Sequence, residues 1–305
     1  MKIAVTGGSG LVARAWLSSV KDREFEIQSF QRSLPAHPFH FAHYESLDIT
    51  DAHEVFEKLQ GFDLVIHAAA MVSYHKTDAP VMYKTNVTGT TNVVNACIQN
   101  KIPKLVFISS TAALDSDKKP LEIEEDRLWG LSEKKTDYAK TKYYAELEVW
   151  RGKEEGLEVA SICPGVVVGD GKDAKSSNQM FEVVRKKWNL YPIGSNGFIN
   201  ALELAKIITL IIDKKAYGHR FLAVTHNISF RELLFKIAKK LNMNPPKYSI
   251  KGIRFAVLFG FAILAERLLL KSPFPSDGLI NTKQNIKYKP KNIYEKLNYT
   301  NGPLL

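Results

Sequence analysis

Cysteine is scarce in this chain. The two in 305 residues, Cys97 and Cys163, are far apart and lack a Cys-x-x-Cys spacing. A disulfide framework is thereby excluded, and two reduced thiols are expected, one in a helix and one in a strand. Long hydrophobic runs are missing too. The most apolar stretch, 253–270, carries Arg254, Glu266 and Arg267, which leaves only the 11 residues from Phe255 to Ala265 free of charge. Crossing a hydrocarbon core takes about 20, so this stretch is expected to be a buried helix or one that rests on a membrane surface. Acidic residues are the scarcer charge, 32 against 42 Lys and Arg, for a formal net charge of +10. The lysines are spread out, with short clusters such as Arg185-Lys186-Lys187, which reads as a basic solvated surface and not as a nucleic-acid-binding stripe. Neither a repeat nor a low-complexity tract is present, and the 45% hydrophobic content supports a sizeable core, not a disordered or fibrous chain.

What is present is a rhythm. Residues 2–6, 25–31, 63–67, 104–109 and 157–163 are short apolar or β-branched runs, separated by helical patterns near 10–20, 51–59, 79–100 and 136–154. Strands alternating with helices predict an α/β fold, a doubly wound parallel sheet. After Pro164 the rhythm breaks into Gly-, Asn- and Pro-rich pieces with helical patterns at about 200–213, 229–241 and 252–270. We therefore expect a principal α/β domain over 1–165 and a smaller, mostly helical lobe over 166–305, with some segments returning to the sheet. The first five residues already read as a strand, so no signal peptide precedes the fold and a cytoplasmic location is expected.

The first strand runs into Thr6-Gly7-Gly8-Ser9-Gly10-Leu11-Val12-Ala13, with a helical pattern directly behind it. Glycines permit the tight turn and let backbone approach a pyrophosphate, whose charge is stabilised by the helix N-terminus. This turn resembles the T-G-x-x-G-x-x-G element of the extended short-chain dehydrogenase/reductase family, with Ala13 at the last glycine. Further segments resemble the same family in register: Asp48-Ile49 its adenine-facing aspartate, His67-Ala68-Ala69-Ala70 the strand end along the cofactor, and Asn86-Val87-Thr88-Gly89-Thr90 its N-V-x-G-T element. Asp48 as a helix cap and Asn86 as a buried amide joining helix to sheet are the bland alternatives. The resemblance implies a Rossmann-type fold and a nicotinamide dinucleotide. At the end of the second strand stand Gln31-Arg32-Ser33 instead of the acidic residue that holds the ribose of NAD. A guanidinium there can pair with a 2′-phosphate, so NADP(H) is favoured and NAD(H) stays open.

The strand at 104–109 delivers Ser109-Ser110-Thr111 to the carboxyl end of the sheet, where ligands bind in such folds. Tyr138-Ala139-Lys140-Thr141-Lys142 follows, with Tyr138 27 residues after Thr111. Residues i and i+4 share a helical face, which puts Lys142 beside Tyr138, where an ammonium would favour the phenolate. The family resemblance assigns the catalytic roles to Thr111, Tyr138 and Lys142 and implies cofactor contacts from Thr6, Gly7, Ser9, Gly10, Leu11, Val12, Arg32, Asp48, Ile49, His67, Ala68, Ala69, Asn86, Ser109, Ser110, Tyr138, Lys142, Pro164, Gly165 and Val166. Cys163-Pro164-Gly165-Val166-Val167-Val168-Gly169 resembles the family's R-P-G-x-V-x-G turn, with Cys163 in place of the arginine.

Sugar-nucleotide epimerases and dehydratases of the family usually carry R-x-x-N-x-Y-G-P at this turn and an arginine pattern later. This chain has neither, offering Phe198-Ile199-Asn200-Ala201 near the second. The turn and the apolar stretch before Ser272-Pro273-Phe274-Pro275 look more like dihydroflavonol reductases and 3β-hydroxysteroid dehydrogenases. The expected activity is an NAD(P)-dependent oxidoreductase acting on a small apolar carbonyl or alcohol. A sugar-nucleotide epimerase or dehydratase and a non-catalytic NADP-sensing or assembly factor are the alternatives. His37, His40 and His43 lie in a loop without a carboxylate or cysteine cluster, and with His67 and His75 they form no metal set, so no metal is expected. The expected partner is a small-molecule substrate, with a homodimer and peripheral membrane contact left open, and no nucleic acid.

Overall fold

The computed structural model describes residues 1–114, 122–127, 129, 135–169, 179–268, 270, 272 and 275–305. Pro273 and Phe274 of the Ser272-Pro273-Phe274-Pro275 segment lie outside the described residues. Seven parallel strands form the main sheet in the order Arg220–Ala223, Glu158–Pro164, Lys104–Ile108, Leu64–His67, Lys2–Thr6, Glu26–Gln31, Ala42–Ser46. The four central strands are buried along nearly their whole length, as all-parallel sheets covered on both faces require. One face packs against helices Leu11–Ser19 and Ala201–Asp213, which carry Trp16, Leu17, Leu204 and Ile208 into the core. The other packs against Ala52–Lys58, Gly89–Gln99 and Asp137–Glu154 through Val55, Val93, Ala145 and Val149.

Two of the seven strands escape a reading of apolar runs. Ala42–Ser46 is an edge strand with only its first residue buried, so its polar side chains hide it. Arg220–Ala223 is four residues long and belongs to the C-terminal part of the chain, which thus returns to the sheet at its opposite edge. The helix expected over 79–100 is present in segments: Ala79–Tyr83, a π turn at Lys84–Thr88, then Gly89–Gln99. A π turn displaces side chains from the 3.6-residue period, and here it presents Asn86 to a neighbouring loop.

The sheet order reverses beside Lys2–Thr6, with Glu26–Gln31 on one flank and Leu64–His67 on the other. At such a switch point the loops diverge and leave a crevice beyond the strand ends. On the far side, Gly165 carries the chain from Glu158–Pro164 straight into Val166–Val168, which joins Ser195–Asn200 and His226–Ser229 in a second, three-stranded sheet. A Cβ at Gly165 would lie 2.4 Å from the Gly197 carbonyl oxygen, so only glycine lets these strands meet.

Candidate active site

At the switch point, Gly7 has φ +75°, and a Cβ there would lie 2.6 Å from the Ala69 backbone. The Gly7 amide donates to the Phe30 carbonyl (2.8 Å) and Gly10 to that of Gly7 (2.9 Å), which folds the turn tightly. Helix Leu11–Ser19 then starts with Gly10 as its cap, with no side chain bonded to its end and no acid in its first turn. Ser9 and Gly10 are exposed, and Leu11 and Val12 half-buried. Free amide hydrogens at the positive end of a helix suit a pyrophosphate, so the residues present fit a dinucleotide. Ala13 is fully packed in the core, and the missing glycine costs the turn nothing visible.

Beyond Gln31, Arg32 is exposed, and its charge together with that of Lys84 acts on Asp48. The Asp48 carboxylate accepts the Thr50 amide (2.9 Å), which is the main reason its carboxyl stays below the usual range. Asp51, and not Asp48, caps helix Ala52–Lys58. Ile49 is buried beneath Gly89. Asn86 holds Met71 by both its amide (2.7 Å) and its carbonyl (2.9 Å) and donates to Thr141 (3.0 Å), fastening the loop after Ala68 and Ala69 to helix Asp137–Glu154.

His67 is wholly buried between Thr6 (2.6 Å) and Thr90 (3.0 Å). Thr90 gives its own proton to the Asn86 carbonyl, so it accepts from His67 Nε2–H, and Nδ1 accepts from the Thr6 hydroxyl. Burial, with the nearby Lys142 charge, pushes the imidazole down to about 3. An unfolded histidine protonates near pH 6.5 while this one does not, so stability is complete above that pH and declines as pH falls toward 3. Denaturant unfolding at pH 7 and pH 4.5 is expected to differ by about 2–3 kcal/mol from this group. His67→Gln is expected to flatten that slope; an unchanged slope would refute the assignment.

At the carboxyl end of Lys104–Ile108, Ser110 caps a short 3-10 turn, Thr111–Ala113, by accepting the Ala112 amide. Ser110 also faces Tyr138, and Thr111 faces Tyr288, each near enough to lower the phenol it meets. Tyr74 stands edge-on to Tyr138 with ring centres 6.0 Å apart, and Cys163 is near enough to act on both Tyr138 and Tyr288. Burial raises the Tyr138 phenol well above its ordinary value and Tyr288 up to about 12. Both are therefore held as neutral O–H donors. Tyr74 and Tyr288 were not expected from the sequence, because each reaches the cluster from a distant loop or a two-residue strand, Lys287–Tyr288, without local periodicity.

Lys142 lies one turn beyond Tyr138, but its amine points to the Ile108 carbonyl (2.7 Å), 4.5 Å from the Phe107 ring centre. Burial lowers it to about 8. Besides Ser110, the groups that act on Tyr138 are Tyr74 and Cys163, either of which would raise it further on ionising; a lowering by the lysine is not part of this arrangement. A further turn along sits Glu146, buried and shared by Ser109 (2.8 Å), Ser161 (2.9 Å), Arg220 (2.6 Å) and Trp150 (3.3 Å). Ser109 is thus committed to the core, beneath the site. Glu146 carries a sequence signal, a carboxylate eight residues after Tyr138 on the same helical face. Arg220 carries none. Pro164 ends its strand, Gly165 and the half-buried Val166 begin the second sheet, and Asn200 caps helix Ala201–Asp213 by accepting the Leu202 amide (2.8 Å). Among the described residues no group of three or more His, Cys, Asp or Glu side chains could hold a metal ion.

Residues 3–221 match the model of the NAD dependent epimerase/dehydratase family. A 3 beta-hydroxysteroid dehydrogenase/Delta 5-->4-isomerase of Mycobacterium tuberculosis is 26% identical over 95% of this chain and 86% of its own. A 2-alkyl-3-oxoalkanoate reductase of Stenotrophomonas maltophilia is 29% identical over 73% and 65%. The crystal structure of UDP-glucose 4-epimerase from Bifidobacterium longum, in complex with NAD+ and UDP, superposes with a TM-score of 0.76 at 17% identity, covering 99% of this chain and 94% of that one, which establishes a shared fold. The chain belongs to the NAD dependent epimerase/dehydratase family and is an NAD(P)-dependent oxidoreductase of the extended short-chain dehydrogenase/reductase type.

Proposed function

We propose that the chain reduces a small apolar carbonyl compound with NADPH, and that Tyr138 donates the proton. The observation that carries this reading is Tyr138 held neutral beside Ser110 and Tyr74, with a second buried phenol, Tyr288, facing Thr111 and sharing Tyr74 and Cys163 as neighbours. A phenol held protonated is the form that can give a proton to an oxygen becoming an alkoxide. The dinucleotide, when bound, supplies the hydride. Thr111, backed by Tyr288, orients the substrate oxygen, and Ser110 orients the Tyr138 O–H. Lys142, now hydrogen-bonded to the Ile108 carbonyl, would hold the cofactor's ribose hydroxyls if its side chain turned away from that carbonyl. The parts of 166–305 that do not return to the main sheet, among them the second sheet, would close the substrate side.

An epimerase acting on a nucleotide sugar has less support. Arg220 reaches the Cys163 side of the cluster, yet its guanidinium is held by Glu146 and the Glu125 carbonyl (2.9 Å), and Asn200 is spent as a helix cap. The decisive experiment follows NADPH absorbance with a panel of apolar aldehydes and ketones beside uridine-diphosphate sugars. Oxidation with at least one apolar carbonyl and none with the sugars is expected; epimerised sugars and inert carbonyls would overturn the reading.

The preference for NADPH rests on Arg32, an exposed guanidinium at the strand end where an acidic residue would hold a bare ribose. Calorimetric titration is expected to give tighter binding of NADPH than NADH, and Arg32→Ala to weaken NADPH by about tenfold while leaving NADH nearly unchanged. Equal affinities in the parent protein would remove the claim. With both cysteines free and buried, the protein suits a reducing cytoplasm.

A further inference from the structure

Helix Gly252–Arg267 is apolar on every side, yet only Ala262 and Ala265 are buried. Ile253 is 81% exposed, Val257 65%, Phe261 56%, Leu264 56% and Leu268 61%. Steps of four, four, three and four residues set these five on one stripe. A contiguous exposed stripe of this kind marks a contact surface. Its charges are of one sign. Lys251 and Arg254 flank one end and Arg267 the other, while Lys283 lies 4.6 Å from the Phe255 ring centre. The helix's one carboxylate, Glu266, turns inward and accepts both the amide (2.9 Å) and the hydroxyl (3.0 Å) of Ser276.

From this stripe and its cationic flanks we propose that the helix lies in the surface of an anionic lipid bilayer. Apolar side chains would enter the acyl boundary, and Lys251, Arg254 and Arg267 would meet lipid phosphates and carboxylates. At 16 residues the helix is about 24 Å long, and no helix among the described residues is long and apolar enough to cross a membrane, so it lies on the bilayer and does not span it. A second copy of the chain fits worse. A two-fold pairing sets each stripe against itself, and these stripes bring arginines without an exposed helix carboxylate to meet them. The helix also adjoins the site: Ser276 opens helix Ser276–Asn281, and Asn281 is near enough to act on Tyr74, the ring that faces Tyr138. An apolar substrate dissolved in the bilayer would thus find the catalytic cleft beside its surface. Lipid binding does not depend on the redox reading, since its test uses protein and vesicles alone.

Flotation of the full chain with phosphatidylcholine vesicles, with and without phosphatidylserine, decides the matter. Strong binding to the anionic vesicles, weakened by salt, is expected. Val257→Ser/Phe261→Ser is expected to lose about tenfold or more in partitioning, and Arg254→Gln/Arg267→Gln about tenfold on anionic vesicles only. Both pairs are exposed, so thermal unfolding and NADPH affinity should match the parent protein and keep loss of fold apart from loss of binding. No binding to either vesicle, or binding indifferent to Val257→Ser/Phe261→Ser, would overturn the proposal. So would a dimer in sedimentation analysis that Val257→Ser/Phe261→Ser dissociates while vesicles are ignored.

Discussion

Tyr138→Phe is expected to lower turnover of an apolar carbonyl by about 10²–10⁴-fold, the usual range for losing a positioned acid, while NADPH affinity stays within about twofold. The ring remains to pack edge-on against Tyr74, and only the hydroxyl in contact with Ser110 disappears. Because burial keeps that phenol neutral far above ordinary pH, the parent enzyme should reduce carbonyls without a decline from phenol ionisation up to at least pH 9. Stopped-flow turnover and calorimetric titration of the same variant separate the two effects. Equal losses of turnover and of cofactor affinity would mean that Tyr138 serves binding and that the proton comes from elsewhere, with Tyr288 the next donor to examine. Lys142→Met is expected to behave differently and weaken both, on the proposal that the amine leaves the Ile108 carbonyl to hold the bound cofactor.

Arg220→Met is expected to cost about 3–5 kcal/mol of folding stability, because removing one partner strands a buried charge. Glu146 is only 2% exposed and its ion pair with Arg220 is 2.6 Å long. Ser109, Ser161 and Trp150 remain as donors to the carboxylate without supplying a charge, and the nearby Lys142 acts on it only at a distance. Urea unfolding at pH 7 measures the loss directly, and it should be nearly independent of salt, unlike that of an exposed pair such as Arg151 and Glu155. Replacing both residues, Glu146→Met/Arg220→Met, should recover a good part of the stability, as replacement of buried pairs by apolar groups commonly does. A loss under 1 kcal/mol in Arg220→Met would show that the carboxylate is satisfied without it.

Local chemistry carries what the sequence by itself determined. A strand running into Gly7-Gly8-Ser9-Gly10 and then a helix contains all of its constraints within a dozen residues: a positive φ, a tight turn and free amides at a helix end. The placing of Tyr138 and Lys142 on one helical face is of the same kind, since the i, i+4 relation is a property of the helix alone. The central strands are equally legible because burial on both faces demands apolar runs. The edge strand Ala42–Ser46 is not legible, since one face and one edge meet water and polar residues are tolerated there.

Only the tertiary structure decided where the reactive groups end. Tyr74 and Cys163 act on both Tyr138 and Tyr288, two phenols 150 residues apart in the chain, and Glu146 meets Arg220 across 74 residues. No period in the sequence marks such meetings, because they are set by which strands become neighbours and not by the spacing along any one of them. The same applies to the Lys142 amine. Its helical position follows from the sequence, but its direction follows from the Ile108 carbonyl on the adjacent strand, which accepts a hydrogen bond from an amine that burial has separated from water.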